Sequence, residues 1–211
     1  KINTKDKDDI KLHIVKKKDE DYVVQGAFKN RKKLIDPKTL FDFFKVKIDI
    51  LSDKEIKIET DNNFVFNINK KLKINDLKFK SNLKFDHLLI NYDSAVIKRY
   101  LKDYKNLVYC KDGAFDIDYS TNSLSVIGKT KYSLDKKFDN LKFELLKNNN
   151  LYKFDTTVEV NSSSLLLKSI DYFKDKNQFS VIRAKGNFLK DSKINLDQLL
   201  YSENKNYFEV N

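Results

Sequence analysis

The regular alternation of apolar with charged or polar side chains constrains the fold of this chain more than any other feature. In one stretch, Phe115, Ile117 and Tyr119 alternate with Asp116 and Asp118. A period of two places successive side chains on opposite faces of a β-strand. Because the pattern recurs along most of the 211 residues, we expect antiparallel strands with one apolar face and one solvated face.

The composition agrees with a β-rich domain. The chain has 16 Phe and 11 Tyr but only 4 Gly and 1 Pro, and aromatic residues favour strands. Its formal net charge is +11, carried mostly by lysine, since Arg31, Arg99 and Arg183 are its arginines. Nucleic-acid readers rely on arginine for bidentate contacts. We therefore interpret the charge as the solvated surface of strands and expect no nucleic-acid partner.

The chain is expected to form one continuous unit over residues 1–211. Residues 1–35 form a charged N-terminal hairpin that turns near Lys17–Asp21, and residues 36–211 form repeated hairpins. Asp36-Pro37 marks a break, and Thr39–Phe44 is either a short helix or the lead into a strand.

Further along, Thr60–Asn63 is predicted to be a turn. Apolar residues at helical spacing predict a helix near 94–104, capped by Asp93 or Ser94. Leu165–Phe173 is compatible with helix or strand. Ile194–Tyr201 and Tyr207–Val210 are predicted to form the last hairpin.

The apolar face of such a sheet has to be covered, because one exposed Phe or Leu costs roughly 2 kcal/mol. A second sheet can pack on it as a sandwich, the sheet can close into a barrel, or it can curl around an apolar ligand such as acyl chains. Alternation alone does not choose among these three arrangements.

The residues that carry chemistry elsewhere do not suggest an enzyme here. We interpret Asp116 and Asp118 as solvent-facing, His87 as a structural histidine and Cys110 as a small buried hydrophobe. We expect no catalytic residue, no metal site and no cofactor. No Met is present and the sequence begins at Lys1, from which we expect an internal piece of a longer protein.

Several stretches resemble the AsmA-like superfamily, in particular the YhdP-type envelope proteins of Gram-negative bacteria. They are the succession of strands over residues 56–90, the helix Ser94–Tyr104, the hairpin from Gly113 to Lys129, the stretch from Phe138 to Phe154, and the closing stretch from Ile194 to Val210. The resemblance implies a mostly β fold, with a curved antiparallel sheet that forms an open taco-shaped groove and carries one or two short helices.

It also implies a periplasmic, monomeric segment of a protein that is anchored in the inner membrane by a helix outside this piece. The groove would hold phospholipid tails, and the ends of the full-length protein would meet membranes. The alternative is a structural or adhesive β-sandwich on the cell surface with a closed core. The residues predicted to line the groove share the apolar strand positions and are Phe64, Phe66, Ile68, Ile74, Phe79, Phe85, Ile117, Leu124, Val126, Phe143, Phe154, Val158 and Phe188.

Overall fold

The computed structural model describes residues 2–3, 9–16, 22–35, 56–189, 193–204 and 206–210. Fourteen strands dominate them. Their bounds are β1 Ile2–Asn3, β2 Asp9–Lys16, β3 Tyr22–Ile35, β4 Ile56–Ile68, β5 Ile74–Asn91, β6 Leu107–Ser120, β7 Ser123–Ser133, β8 Asp139–Asn148, β9 Leu151–Glu159, β10 Leu165–Leu167, β11 Tyr172–Lys174, β12 Ser180–Leu189, β13 Asn195–Glu203 and β14 Asn206–Val210. One α-helix, α1, spans Ala95–Tyr100, and a 3-10 turn spans Lys168–Ile170.

Twelve of these strands form a single antiparallel sheet that remains open. Neighbours in the sheet follow chain order from β1 to β9, and β12, β13 and β14 complete it. Among the described residues, the two edge strands β1 and β14 pair only with β2 and β13, so the sheet does not close into a barrel. The predicted fold class, mostly β with an open antiparallel sheet and few helices, is confirmed.

Strands in the first half are longer than the sequence suggested. The predicted turn at Thr60–Asn63 is wrong, because β4 runs through it without interruption. Asn62 is 2% exposed, and its amide donates to the Phe28 carbonyl oxygen at 3.2 Å and to Thr60 Oγ1 at 2.7 Å. Ser81 Oγ donates to Asn62 Oδ1 at 2.7 Å. Partners on β3, β4 and β5 thus satisfy a residue whose type favours turns.

Four irregularities in the strand register bend the sheet. They fall between Asn30 and Lys33, Val65 and Asn67, Lys111 and Ala114, and Lys185 and Gly186. A bulge of this kind inserts an extra residue into one strand, which kinks it and increases its twist. The bulges therefore supply the curvature that a flat pleated sheet lacks.

The two ends of the strands differ. At one end, here called the turn end, short hairpins join β4 to β5, β6 to β7 and β8 to β9. At the other, here called the closed end, the longer connections after β5, β7 and β9 fold back against the sheet. The connection after β9 contains β10 and β11, which pair with each other as a separate two-stranded sheet. Leu165–Phe173, compatible with helix or strand in the sequence, is therefore mainly strand.

Helix α1 begins where the sequence predicted and ends earlier. Ser94 caps it, since Ser94 Oγ accepts a hydrogen bond from the Ile97 amide at 3.2 Å. The helix stops at Tyr100, whereas the prediction extended it to residue 104. Tyr104 is instead buried, and its hydroxyl donates to the Tyr92 carbonyl oxygen.

The two clusters of fully buried apolar residues lie at the closed end. The first contains Phe85, Tyr104, Cys110, Tyr132 and Leu134. The second contains Val160, Leu165 and Tyr201. Leu101 and Val158 pack against both clusters, so the folded-back connections and the sheet share one core at this end.

A buried lysine links two parts of the connection between β9 and β12. Lys174 is fully buried, and its ammonium group donates to the carbonyl oxygens of Ser163 at 2.6 Å and Asp175 at 2.9 Å. Burial lowers the pKa of Lys174, because the charged form loses hydration that two carbonyls replace only in part. The contact fixes β11 against the serine run that precedes β10.

Asp103 attaches the same connection to the segment after α1. Its carboxylate accepts hydrogen bonds from the amide and the hydroxyl of Ser164, both at 3.0 Å, and pairs with Lys176 at 2.8 Å. Burial by itself would raise the pKa of Asp103, but the bonds from Lys176 and Ser164 outweigh it and lower that pKa below its ordinary value of 3.8.

Acid should therefore weaken this attachment. A carboxylate whose folded-state pKa is depressed stabilises the fold above its unfolded pKa, and the stabilisation is lost as pH falls through the folded value. We expect Asp103→Asn to lower the free energy of unfolding at pH 7 and to differ less from wild type below pH 3.8. Urea unfolding followed by circular dichroism at both pH values measures this gap. Asp93→Asn is the control, since Asp93 is exposed and pairs with Lys98. A gap for Asp103→Asn that does not change with pH would contradict the prediction.

The remaining predictions concern the two terminal hairpins and the segment around Asp36-Pro37. The N-terminal hairpin is present as β2 and β3, which pair over their full shared length within the large sheet. The last hairpin is present as β13 and β14. The predicted turn at Lys17–Asp21 and the predicted helix or strand at Thr39–Phe44 lie outside the described residues.

Candidate functional site

One face of the large sheet is apolar from strand to strand. Directly paired residues of an antiparallel sheet share a face, so the strand register defines rows across it. One row contains Phe115 of β6, Gly128 of β7, Phe143 of β8 and Thr156 of β9. The next row towards the turn end contains Ile117, Val126, Leu145 and Phe154. We call this surface the apolar face.

The register and strand alternation place all thirteen predicted groove residues on the apolar face. Their surroundings differ. Phe85 is 6% exposed inside the first buried cluster, and Val158 packs against both clusters, so these two belong to the protein's own core. Ile74 is 60% exposed near the turn end. The others are half-buried: Phe64, Phe66, Ile68, Phe79, Ile117, Leu124, Val126, Phe143, Phe154 and Phe188.

The list of predicted groove residues omits several members of this face. Phe115 connects two predicted residues, because its ring lies 5.6 Å from those of both Phe85 and Phe143. Phe28 similarly lies 6.4 Å from Phe64. The signal that could have found them is the same period of two, extended to every strand. The missed residues that also share the face are Leu77, Leu83, Tyr119, Leu145 and Tyr152.

Each of the four glycines lies on the apolar face beneath phenylalanine rings. Gly26 pairs with Phe64, Gly113 with Phe85, Gly128 with Phe115 and Phe143, and Gly186 with Phe154. A Cβ atom at Gly128 would meet ring atoms of Phe115 and Phe143 at 2.5 Å, which is too close for carbon atoms in contact. None of the four has a positive φ angle. Glycine is therefore used here for space, because the phenylalanine rings occupy the room that a Cβ atom would need.

The opposite face is polar, and several of its charges are paired. Lys80 contacts Asp118 at 2.8 Å, Lys131 contacts Asp112 at 3.0 Å, and Arg183 contacts Asp155 at 2.8 Å. Such exposed pairs contribute little to stability, because water and salt screen them. They do show that part of the lysine excess already has carboxylate partners within the sheet.

Of the titratable residues considered in the sequence, Asp116, Asp118 and His87 are exposed and Cys110 is buried. The exposure of His87 does not fit a buried structural histidine. Asp116 is exposed and accepts a hydrogen bond from the Asn82 amide, and Asp118 pairs with Lys80. His87 is exposed on the polar face opposite Lys111. Cys110 is 6% exposed, as expected of a buried hydrophobe, and burial raises the pKa of its thiol to about 11. Among the described residues, no group of three His, Cys, Asp or Glu side chains is placed to hold a metal ion.

At the closed end, described residues cover the apolar face of β6 to β9. There α1, Tyr104, Leu134 and the β10–β11 connection pack on it. Towards the turn end, the rows of Phe143 and Leu145 have no second layer of described residues above them. The second sheet consists of two three-residue strands, which is far too small to form the other half of a sandwich. No helix in the described ranges is long and apolar enough to cross a membrane.

Comparison of the chain with protein-family profiles, curated proteins and solved structures found no match in any of the three.

Proposed function

We propose that this chain is a non-enzymatic lipid-binding and transport segment that holds phospholipid acyl chains against its apolar face. The observation that carries the proposal is the uncovered part of that face, between the turn end and the closed end of β6 to β9. Half-buried Phe143, Leu145 and Phe154 line it, and no described residue is packed above them.

The physical basis is the transfer of hydrocarbon from water. Each Å² of apolar surface removed from water contributes roughly 25 cal/mol. An acyl chain lying on the face would remove water from its own surface and from the aromatic rows at the same time. The attraction is non-directional, so the chain can bind at many positions along the sheet. Movement along the face then requires no covalent step.

The cellular setting belongs to the same proposal and is supported by the resemblance to AsmA-like envelope proteins. The segment would lie in the periplasm as a monomer and conduct lipid between the inner and outer membranes. Its anchor in the inner membrane would be supplied by a segment outside these residues.

Native mass spectrometry with lipid extraction tests the proposal on the chain purified from a Gram-negative host. We expect phospholipid to remain bound through purification, because its release exposes both the tails and the aromatic rows to water. A lipid-free, stably folded monomer would overturn the proposal. It would favour the structural or adhesive surface protein, with an apolar face covered by other parts of the protein.

A further inference from the structure

Lys147 interrupts the apolar face at the turn end of β8. The register pairs it with Leu124 of β7 and Tyr152 of β9, and Tyr152 pairs in turn with Phe188 of β12. The rings of Tyr152 and Phe188 are stacked 4.9 Å apart. A half-buried lysine therefore stands in a row whose other members are apolar or aromatic.

In the part of the chain that the structure describes, this lysine has no carboxylate partner. Among the described residues, no Asp or Glu oxygen lies within 4.0 Å of Lys147 Nζ, whereas Lys80, Lys131 and Lys185 on the polar face are each paired with aspartate. Its ammonium group lies 5.8 Å from the centre of the Tyr152 ring, a weak cation–π contact. A cation at the rim of an apolar surface, beside a tyrosine, matches the residues found at the level of lipid head groups.

The distance from Lys147 to the closed end is long enough for one acyl chain. Lys147, Leu145, Phe143 and Leu141 follow one another along the apolar face of β8, and at about 3.4 Å per residue they span about 20 Å. One leaflet of a bilayer has a hydrocarbon depth of about 15 Å, half of the 30 Å core. Leu141 already packs against the first buried cluster, so the uncovered part of the apolar face along β8, here called the track, ends there.

The acidic residue at the other end of β8 already has hydrogen-bond partners. Asp139 is 3% exposed, and its carboxylate accepts hydrogen bonds from the amide of Ser162 at 2.9 Å and the hydroxyl of Ser162 at 2.6 Å. The apolar face of β8 thus has an uncompensated cation at its open end and a satisfied anion at its covered end. This arrangement gives the track a direction.

We propose that Lys147 binds the phosphate of an anionic lipid, whose acyl chain lies along Leu145 and Phe143 with its end towards Leu141. This inference rests on the proposed lipid-binding function. Lysine acts on phosphate as a point charge, so the site distinguishes lipids by net charge and not by the shape of the head group.

Lipid exchange from mixed vesicles tests the assignment. The purified wild-type chain and the Lys147→Gln variant are incubated with vesicles of equal parts phosphatidylglycerol and phosphatidylcholine and re-isolated, and the bound lipids are extracted and quantified. We expect wild type to be enriched in phosphatidylglycerol. In Lys147→Gln the enrichment in phosphatidylglycerol should be about fivefold lower than in wild type, the factor expected for one lysine near an anionic head group. The total amount of bound lipid should equal that of wild type.

Lys142→Gln is the matched control. Lys142 lies on the same strand but on the polar face, where it pairs in register with Lys129 and Thr157. The substitution removes the same charge from the protein, so its lipid composition should equal that of wild type. Equal loss of enrichment in both variants would assign the effect to net charge and overturn the role of Lys147.

The remaining outcomes separate this inference from the proposed function. Wild type without any bound lipid overturns both. Bound lipid whose composition is the same in wild type and Lys147→Gln overturns only the head-group site. Equilibrium dialysis of lipid-free protein against labelled inorganic phosphate should show no binding, whereas saturable binding that is lost in Lys147→Gln would assign the site to a soluble anion and overturn the lipid assignment.

Discussion

Phospholipid should be absent from a purified variant in which Phe66 and Phe143 are both replaced by aspartate. The two rings lie in different halves of the apolar face, Phe66 at 5.8 Å from Phe64 and Phe143 at 5.6 Å from Phe115. Each substitution removes a large apolar contact, of about 1.5–3 kcal/mol, and adds a carboxylate that an acyl chain cannot hydrate. We expect bound lipid, measured by native mass spectrometry and extraction, to fall at least about tenfold.

The control introduces two aspartates on the polar face. Val65 neighbours Phe66 on β4, and Ile127 neighbours Gly128 on β7; Ile127 is 50% exposed. Val65→Asp with Ile127→Asp introduces equal charge and should retain wild-type lipid. Circular dichroism should show strand content close to wild type in both double variants. Unchanged lipid in a folded Phe66→Asp, Phe143→Asp protein would contradict the assignment of lipid to the apolar face.

The largest effect on stability is expected from Leu165→Ala at the closed end. Leu165 is 2% exposed and belongs to the cluster with Val160 and Tyr201. Truncating a buried leucine leaves a cavity and costs about 2–5 kcal/mol. We expect the free energy of unfolding in urea to fall by that amount. Since the chain has no Trp, circular dichroism is the appropriate probe.

Phe173→Ala on the same two-stranded sheet is the comparison for Leu165→Ala. Phe173 is 49% exposed, and its ring accepts only a cation–π contact from Lys102 at 5.2 Å. A substitution of this kind away from the core is expected to change stability by less than about 1 kcal/mol. If both variants lost the same stability, Leu165 would not hold the closed end of the sheet in the way that its burial indicates.

Much of the sheet could be predicted because alternation is a local property. The pattern around Phe115 or Phe143 depends only on near neighbours in the chain, and it correctly assigns both residues to the apolar face. The continuity of β4 could not be predicted in this way. Asn62 favours a turn by its local chemistry, and only its bonds to Phe28, Thr60 and Ser81 hold it in a strand. Those partners include residues far away in sequence.

The closed end was beyond local reasoning for the same reason. Nothing in the sequence around Lys174 predicts a fully buried ammonium group, because its stability depends on the Ser163 carbonyl and on the fold of the whole connection. The candidate site shows a similar division. Alternation predicts which residues face the same way, but it does not separate Phe85, inside the core, from Phe143, on the uncovered part of the face.

The pairing of glycine with phenylalanine determines the surface shape of the apolar face. Phenylalanine ring atoms fill the space that a Cβ atom would occupy at Gly26, Gly128 and Gly186, so the apolar face has no gap where a side chain is missing. If the proposed function holds, an acyl chain on this face would meet ring carbon at these three positions, and such contact is non-directional. The glycine–phenylalanine pairs would therefore discriminate little between acyl chains of different length.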